Sequence, residues 1–510
     1  MKNVQFPEEI QKIVDEVMLK DSYEEEKIIQ QAKDEHKGKW DVPIDQEIMY
    51  FDTDLSYELT GYIPINKTSG LDFDPDWFTE ARDTFLRTGH YTQYHRGTKA
   101  FQDFWLQEYK RCKHGMTVNG YTITGDNYFF LNYFQLMDLD NTEKSGGGRL
   151  FIFPAFYAGQ YEFFHYYELC KRLRMNAVVM KAREVGYSEM LSAILANSYN
   201  CIRNSINMLA THKSDYLDNT IGKVWNCLAF LNDNTDGGFF KLRQVKDSTD
   251  WKRSSYYKMI NGQKVEVGWM SQIIGVVADN PSKLRGFRLD ILAMDEVGSW
   301  KNFAKAYIQA TALVGPMKSA WGIRVCGGTS GDTKEALDGL QRMFYHPEAY
   351  GILPHRHKYT QNGAEVLTSF FIPCMKIPKD RRRFLEHRGY VDPDAVIEWQ
   401  NEVRAAMAND MQALMDHSAE YPFNDTEAFA SGASNKFDRA TIAEQLTRIR
   451  AMHECPDIDQ GNIRFQYKGQ EHRVDRTHVS GVVWNAVRDG KIRILEHPLW
   501  IEDKERGSGS

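Results

Sequence analysis

Asn176-Ala177-Val178-Val179-Met180-Lys181-Ala182-Arg183-Glu184-Val185-Gly186-Tyr187-Ser188 reads as a short apolar run, a polar loop and the first residue of a helical stretch continuing to about Asn197. A loop between a buried strand and a helix is where backbone N–H groups can converge on an anion. Gly186 and Ser188 occupy the places they hold in a standard phosphate-binding loop, but Tyr187 stands where that loop has its lysine. Two cations lie earlier in the loop, Lys181 and Arg183. Either is long enough to reach back to the β- and γ-phosphates of a nucleotide. A strand-to-helix turn with one Gly and one Ser also occurs as an ordinary connection, so this stretch needs corroboration.

Working outward, the same rhythm recurs. Ser205–Thr211 is another short apolar run, followed by a helical stretch from about Ser214 to Phe230. Gln272–Ala278, Leu289–Met294 and Gly322–Cys326 repeat the apolar theme. Short buried runs alternating with helices predict a mainly parallel central sheet flanked by helices on both faces, the doubly wound α/β class.

Leu289-Asp290-Ile291-Leu292-Ala293-Met294-Asp295-Glu296 is an apolar strand ending in an acidic pair. An aspartate at that strand end can hold Mg²⁺, and a glutamate beside it can orient and deprotonate an attacking water. Such pairs also cap helices, and Val297-Gly298-Ser299 is compatible with a turn. A third strand, Gly322–Cys326, runs into Gly327-Gly328-Thr329-Ser330-Gly331, where Thr329 and Ser330 can sense a γ-phosphate or simply belong to a Gly-rich loop.

The chain has 510 residues, enough for two or three domains, with 42% hydrophobic and 26% charged residues. No apolar run reaches the length of a membrane span, and the N-terminus lacks a secretory-signal layout. Seven cysteines without C-x-x-C spacing read as reduced core residues. A net charge of −7 excludes a surface that coats nucleic acid throughout, while leaving room for a local basic track. The division expected is an N-terminal helical and aromatic-rich extension (1–150), a P-loop core (151–345), a lid or linker (346–435), a short α+β segment (436–506) and an added Gly-Ser tail (507–510). Ile10, Ile13, Val14, Val17 and Met18 predict one amphipathic helix, Asp392-Pro393 a helix start, 436–454 a further helix and 463–495 short strands.

At these motifs the sequence resembles the large terminase subunits of tailed bacteriophages. K-A-R-E-V-G-Y-S is similar to their deviant Walker A motif, whose lysine sits at the front of the loop. The resemblance therefore assigns the phosphate lysine to Lys181. I-L-A-M-D-E resembles their Walker B motif and G-G-T-S their coupling motif. Pro281-Ser282-Lys283-Leu284-Arg285-Gly286 resembles the S-x-L-R-G stretch preceding Walker B, and Gln160 the adenine-contacting glutamine. Glu420-Tyr421-Pro422 and Thr426-Glu427-Ala428-Phe429 resemble the signature closing the ATPase half.

What the resemblance implies is an ASCE-type P-loop ATPase that drives double-stranded DNA into a preformed capsid. Residues 182–188 (Ala182, Arg183, Glu184, Val185, Gly186, Tyr187 and Ser188) would cradle the phosphates of ATP with Lys181. Ser188 and Asp295 would hold Mg²⁺, and Glu296 would activate water. Arg285 is the candidate for an arginine acting in trans, or else the ion-pair partner of a carboxylate such as Asp290. Implied partners are double-stranded DNA, a portal protein, a small terminase subunit and further copies of the chain in a ring. The implied setting is the host cytoplasm, without membrane. Lys379, Arg381, Arg382 and Arg383, within the basic run that opens at Lys376 and precedes Arg388, are candidate DNA contacts or a solvated face. Family members carry a C-terminal nuclease, which is expected to be absent here. A helicase-like translocase and a docking module with a dead nucleotide site are the competing readings. Strand separation would mark the first, and the intact Asp295-Glu296 pair speaks against the second.

Overall fold

The computed structural model describes residues 74–118, 121–138, 150–284, 286–316, 320–331, 334–357, 359–361, 363, 366–377, 384, 391–430, 459–467, 479–486 and 492–494. The amphipathic stretch around Ile10–Met18, the helix expected at 436–454 and the Gly-Ser tail lie outside them. The chain divides into two compact units, Met1–Glu444 and Gln445–Ser510.

The first described helix, α1 (Glu80–Thr88), stops at Gly89, whose left-handed φ of 77° lets its N–H bond Phe85 O. In α2 (Lys99–His114) the Thr98 hydroxyl caps the first turn and Arg111, Lys113 and His114 crowd the last, where cations suit the helix dipole. Two short strands, β1 (Met116–Val118) and β2 (Tyr121–Ile123), form an antiparallel pair before α3 (Gly125–Tyr133). All nine residues of α3 are buried. A helix without a polar face must be enclosed on all sides. Its Tyr128 and Tyr133 hydroxyls donate to the Glu108 carboxylate at 2.7 and 2.6 Å, so the polar tips are satisfied. Strands β3 (Leu136–Asp138) and β4 (Leu150–Ile152) pair antiparallel, and α4 (Ala158–Leu173) follows.

Then comes the alternation read from the sequence: β5 (Ala177–Lys181), α5 (Tyr187–Cys201), β6 (Ile206–Thr211) and α6 (Ser214–Asn234). Next are β7 (Lys246–Asp247), β8 (Trp251–Ile260), β9 (Gln263–Val277), β10 (Ile291–Asp295), α7 (Phe303–Gln309), α8 (Thr311–Val314), β11 (Ile323–Gly328) and α9 (Lys334–Tyr345). The pair β12 (His355–His357) and β13 (Val366–Thr368) precedes β14 (Phe370–Ile372). Helices α10 (Pro393–Ala406), α11 (Met411–Glu420) and α12 (Asp425–Ala428) complete the described part of this unit. As the Asp392-Pro393 pair predicts, Asp392 caps α10 by accepting from the Asp394 and Ala395 N–H groups.

Eight strands form the central sheet in the order β14-β5-β11-β10-β6-β9-β8-β7. From β14 to β9 every pairing is parallel; β8 and β7 add antiparallel. Successive side chains of a strand point to opposite faces, and the strands sort accordingly. Ala177, Val179, Leu209, Ile291, Ala293, Ile323 and Val325 join one core. Val178, Met180, Met208, Ala210, Leu292, Met294 and Cys326 join the other. The expected mainly parallel sheet flanked by helices is therefore the observed architecture.

Two features differ from the sequence reading. The apolar run at Gln272 is only the end of β9, which extends back through a hairpin to β8. Asn261 and Gly262 turn that hairpin with φ of 50° and 78°, the Asn-Gly signature of a type I′ turn. The stretch Leu367–Cys374, which its apolar character predicts to be strand, splits between two sheets, because Ser369 interrupts it and hydrogen-bonds Phe344 O and Met343 O. The aromatic-rich segment, for its part, builds the core on one face of the sheet, where Trp105, Tyr109, Phe129 and Tyr133 join Leu191 and Ile194 of α5.

The second unit contributes a three-stranded antiparallel sheet of β15 (Asp459–Tyr467), β16 (Val479–Ala486) and β17 (Ile492–Ile494), with β15 in the middle.

Candidate nucleotide site

Three parallel strands end side by side, and β11 separates β5 from β10. The register sets Gly327 beside both Val179 and Asp295. The loop after β5, the acidic pair after β10 and the Gly-Gly-Thr-Ser segment after β11 therefore meet at one sheet edge.

The loop from Lys181 to Gly186 is held from three directions. Ala182 N–H donates to Ile372 O at 2.8 Å, Arg183 N–H to Glu420 O at 2.8 Å, and the Gln160 amide to Val185 O at 3.3 Å. Glu184 (φ 64°) and Gly186 (φ 77°) adopt left-handed conformations; alternation of hand along a loop turns successive N–H groups inward as an anion nest. Helix α5 starts at Gly186 without a side-chain cap, so its first N–H groups are left for a ligand.

The two candidate cations part company. Lys181 is 4% exposed and places its ammonium 3.4 Å from Glu296 Oε1. Arg183 instead turns outward, to Glu420 Oε2 at 2.6 Å. Desolvation opposes its charge, but the Glu420 carboxylate outweighs this and raises its pKa.

Asp295 is 1% exposed. Its Oδ2 accepts from the Thr220 hydroxyl and its Oδ1 from the Glu296 N–H, each at 3.0 Å. The nearby Ser188 side chain favours the charged form of the same carboxylate, while Trp300 Nε1 donates to the Asp295 carbonyl at 3.0 Å. Burial, reinforced by neighbouring Glu296, raises the Asp295 pKa, and Lys181, Ser188 and Thr220 offset part of the rise. Glu296 takes a left-handed conformation (φ 51°) at the start of a 3₁₀ turn, Val297–Ser299.

That turn packs directly on the segment after β11. A β-carbon at Gly298 would lie 1.9 Å from Thr329 O, one at Gly328 2.6 Å from Gly298 N, and one at Gly331 2.4 Å from Gly298 O. Thr329 Oγ1 lies 3.5 Å from Ser330 O. The acidic turn and the Thr-Ser segment thus touch through backbone atoms.

Of the residues singled out in the sequence, Gln160, Lys181 to Ser188, Asp295, Glu296, Thr329 and Ser330 gather here. Arg285, Lys379, Arg381, Arg382, Arg383 and Arg388 lie outside the described residues. Lys376, which opens the basic run, is paired with Glu162. Asp290, the alternative partner of Arg285, accepts from Ile206 N–H at 2.7 Å and so serves the register of β10 on β6. Thr220 and Trp300 escaped the sequence reading because a lone Thr in an amphipathic helix and a Trp after a turn carry no local signal. Glu420 was read only as part of a signature, and its contact spans 237 positions.

A mainly parallel sheet in which one strand separates the strand before the glycine-containing loop from the strand ending in the acidic pair has the strand arrangement of the ASCE-type P-loop fold. No family model matches the sequence, and no curated protein matches it. Among solved structures, the chain is similar to the Thermus phage P74-26 large terminase ATPase domain, with 16% identity and a TM-score of 0.33, covering 49% of this chain and 88% of that one. It is similar to the HK97 bacteriophage large terminase at 10% identity and a TM-score of 0.31, over 57% of this chain and 52% of that one. The large terminase of a thermophilic bacteriophage, solved in complex with ADP, shares 11% identity with a TM-score of 0.28, covering 49% of each chain.

Proposed function

We propose that the chain is the ATPase of a terminase large subunit, which uses ATP hydrolysis to move double-stranded DNA into a viral capsid. The observation that carries this reading is that Lys181 and Ser188, at and after the end of β5, flank β11 together with Asp295 and Glu296, at and after the end of β10, with the Thr329-Ser330 segment packed against Glu296's turn. The resemblance of these motifs, in this order, to large terminase subunits supplies the choice of DNA packaging over other P-loop work.

The residues fit the groups they would bind. Uncapped N–H groups at the start of α5 and the loop backbone suit phosphates, with Lys181 neutralising charge and Gln160 beside the loop for adenine. Mg²⁺ usually keeps several waters and takes one or two protein oxygens besides phosphate, which matches a Ser188 side chain near the buried Asp295 carboxylate. When bound, the ion neutralises charge on the transferred phosphoryl group. Glu296, with its side chain 31% exposed beside the buried Lys181 ammonium, would accept the proton of the attacking water. Loss of the γ-phosphate would pass from Glu296's turn to Thr329 and Ser330 through the Gly298 contact. Portal, small terminase subunit and a ring of further copies complete the proposed machine, in the host cytoplasm.

The test is ATP turnover by the purified chain, with and without duplex DNA and portal, across protein concentrations. Turnover should be slow for the isolated chain and rise with concentration and partners. No turnover under any of these conditions rejects the ATPase reading. Separation of a forked duplex moves it to a helicase-like translocase.

A further inference from the structure

Tyr187, the first residue of α5, stands where the standard loop has its lysine, and its side chain is 2% exposed. Its ring meets Phe163 edge-on at 5.5 Å. On another side it rests on Gly327: a β-carbon there would come within 2.3 Å of Cε1 and Cζ. Gly327 lies in the strand between β5 and β10, so the ring bears on the backbone that joins the two halves of the site. Above the ring, 6.0 Å from its centroid, sits the Lys181 ammonium.

We propose that Tyr187 is a positioning residue whose buried ring, seated on Gly327, holds the Lys181 ammonium at the phosphate end of the site. The proposal rests on the nucleotide-site reading above. Lysine is a flexible point charge with many rotamers, and in this loop it starts at the end of β5 rather than on the helix. Something must keep it over the site. An aromatic face attracts a cation within about 6 Å, and this one is immobilised by Phe163 and by the strand beneath. The Tyr187 hydroxyl, buried with no hydrogen-bond partner among the described residues, adds nothing to this role; the ring is what matters. The fit in turn demands glycine at 327, since any side chain would push the ring off its seat.

The experiment is a double-mutant cycle on the full chain, read as affinity for a slowly hydrolysed ATP analogue and as steady-state turnover. Tyr187→Phe should stay within about twofold of the parent, and Tyr187→Leu should weaken binding by about 3- to 10-fold. In a Lys181→Ala background, Tyr187→Leu should cause no further loss, because the residue it positions is gone. A purely packing role predicts equal losses in both backgrounds, and that result overturns the proposal alone. A Lys181→Ala chain that binds and turns over ATP like the parent overturns the nucleotide-site reading together with it. Gly327→Ala, run through the same cycle, should reproduce the Tyr187→Leu pattern and serves if the leucine variant fails to fold; additive losses there overturn the proposal equally.

Discussion

At the residue scale, Asp295 and Glu296 are neighbours with opposite demands. Asp295 is buried among hydroxyl donors, and its raised pKa records the cost of keeping a carboxylate out of water. Asp295→Asn should therefore stabilise the nucleotide-free protein by about 0.5–2 kcal/mol, as removal of a functional strain commonly does, while abolishing turnover. Thermal unfolding and ATP hydrolysis on one preparation check both halves, and a variant that is less stable and still active contradicts the assignment. Glu296→Gln should abolish hydrolysis and leave nucleotide affinity nearly intact, because an amide cannot take the water's proton. Turnover within a few-fold of the parent would remove Glu296 from the role of base.

At the element scale, the site is a set of loops pinned to one another. The phosphate loop is tied to β14, α4 and α11, and the turn after β10 is stacked on the segment after β11. The tightest joint is Gly298, where a β-carbon would overlap Thr329 O at 1.9 Å. Gly298→Ala should force the two loops apart, lowering stability by about 1–3 kcal/mol and reducing turnover at least ~10-fold. Binding of an ATP analogue, which needs chiefly the loop after β5, should suffer far less. A parental rate in this variant would mean that the acidic turn and the Thr-Ser segment act independently.

At the scale of the whole molecule, a buried ion network joins α3 of the aromatic-rich segment to α4. Glu168 of α4 bonds Lys171 Nζ at 2.7 Å and Arg172 Nε at 2.8 Å, and Lys171 reaches Asp126 of α3 at 2.8 Å. Burial pushes the Glu168 carboxyl up, but the two cations outweigh it and lower its pKa to about 2. A depressed carboxylate pKa contributes stability that is complete above its ordinary value of 4.5 and is lost as pH falls through about 2. Glu168→Gln should therefore cost about 3 kcal/mol at neutral pH, by stranding buried charge, with the gap to the parent closing between roughly pH 4.5 and 2. Chemical denaturation of both proteins across that range measures it, and a gap independent of pH would contradict the assignment.

The sequence by itself determined the alternation of strands and helices, because a strand covered on both faces must be apolar throughout and a phosphate loop must fall between strand and helix. Val178, Val179 and Met180 were legible as a buried strand for that reason, Gly186 and Ser188 as the start of the helix after it, and Asp295 as the end of a second buried strand. The tertiary structure alone decided which cation faces the acidic pair. Lys181 and Arg183 are equivalent by charge and reach, and only Glu420, far along the chain, draws Arg183 away. It also decided that the helix α3, whose nine residues show no polar face, is enclosed between the ion network and the aromatic core. The Tyr187–Gly327 and Gly298–Thr329 contacts likewise arise only when β5, β11 and β10 lie side by side. Strand order is set by packing across the whole sheet, and no local pattern of residues encodes it.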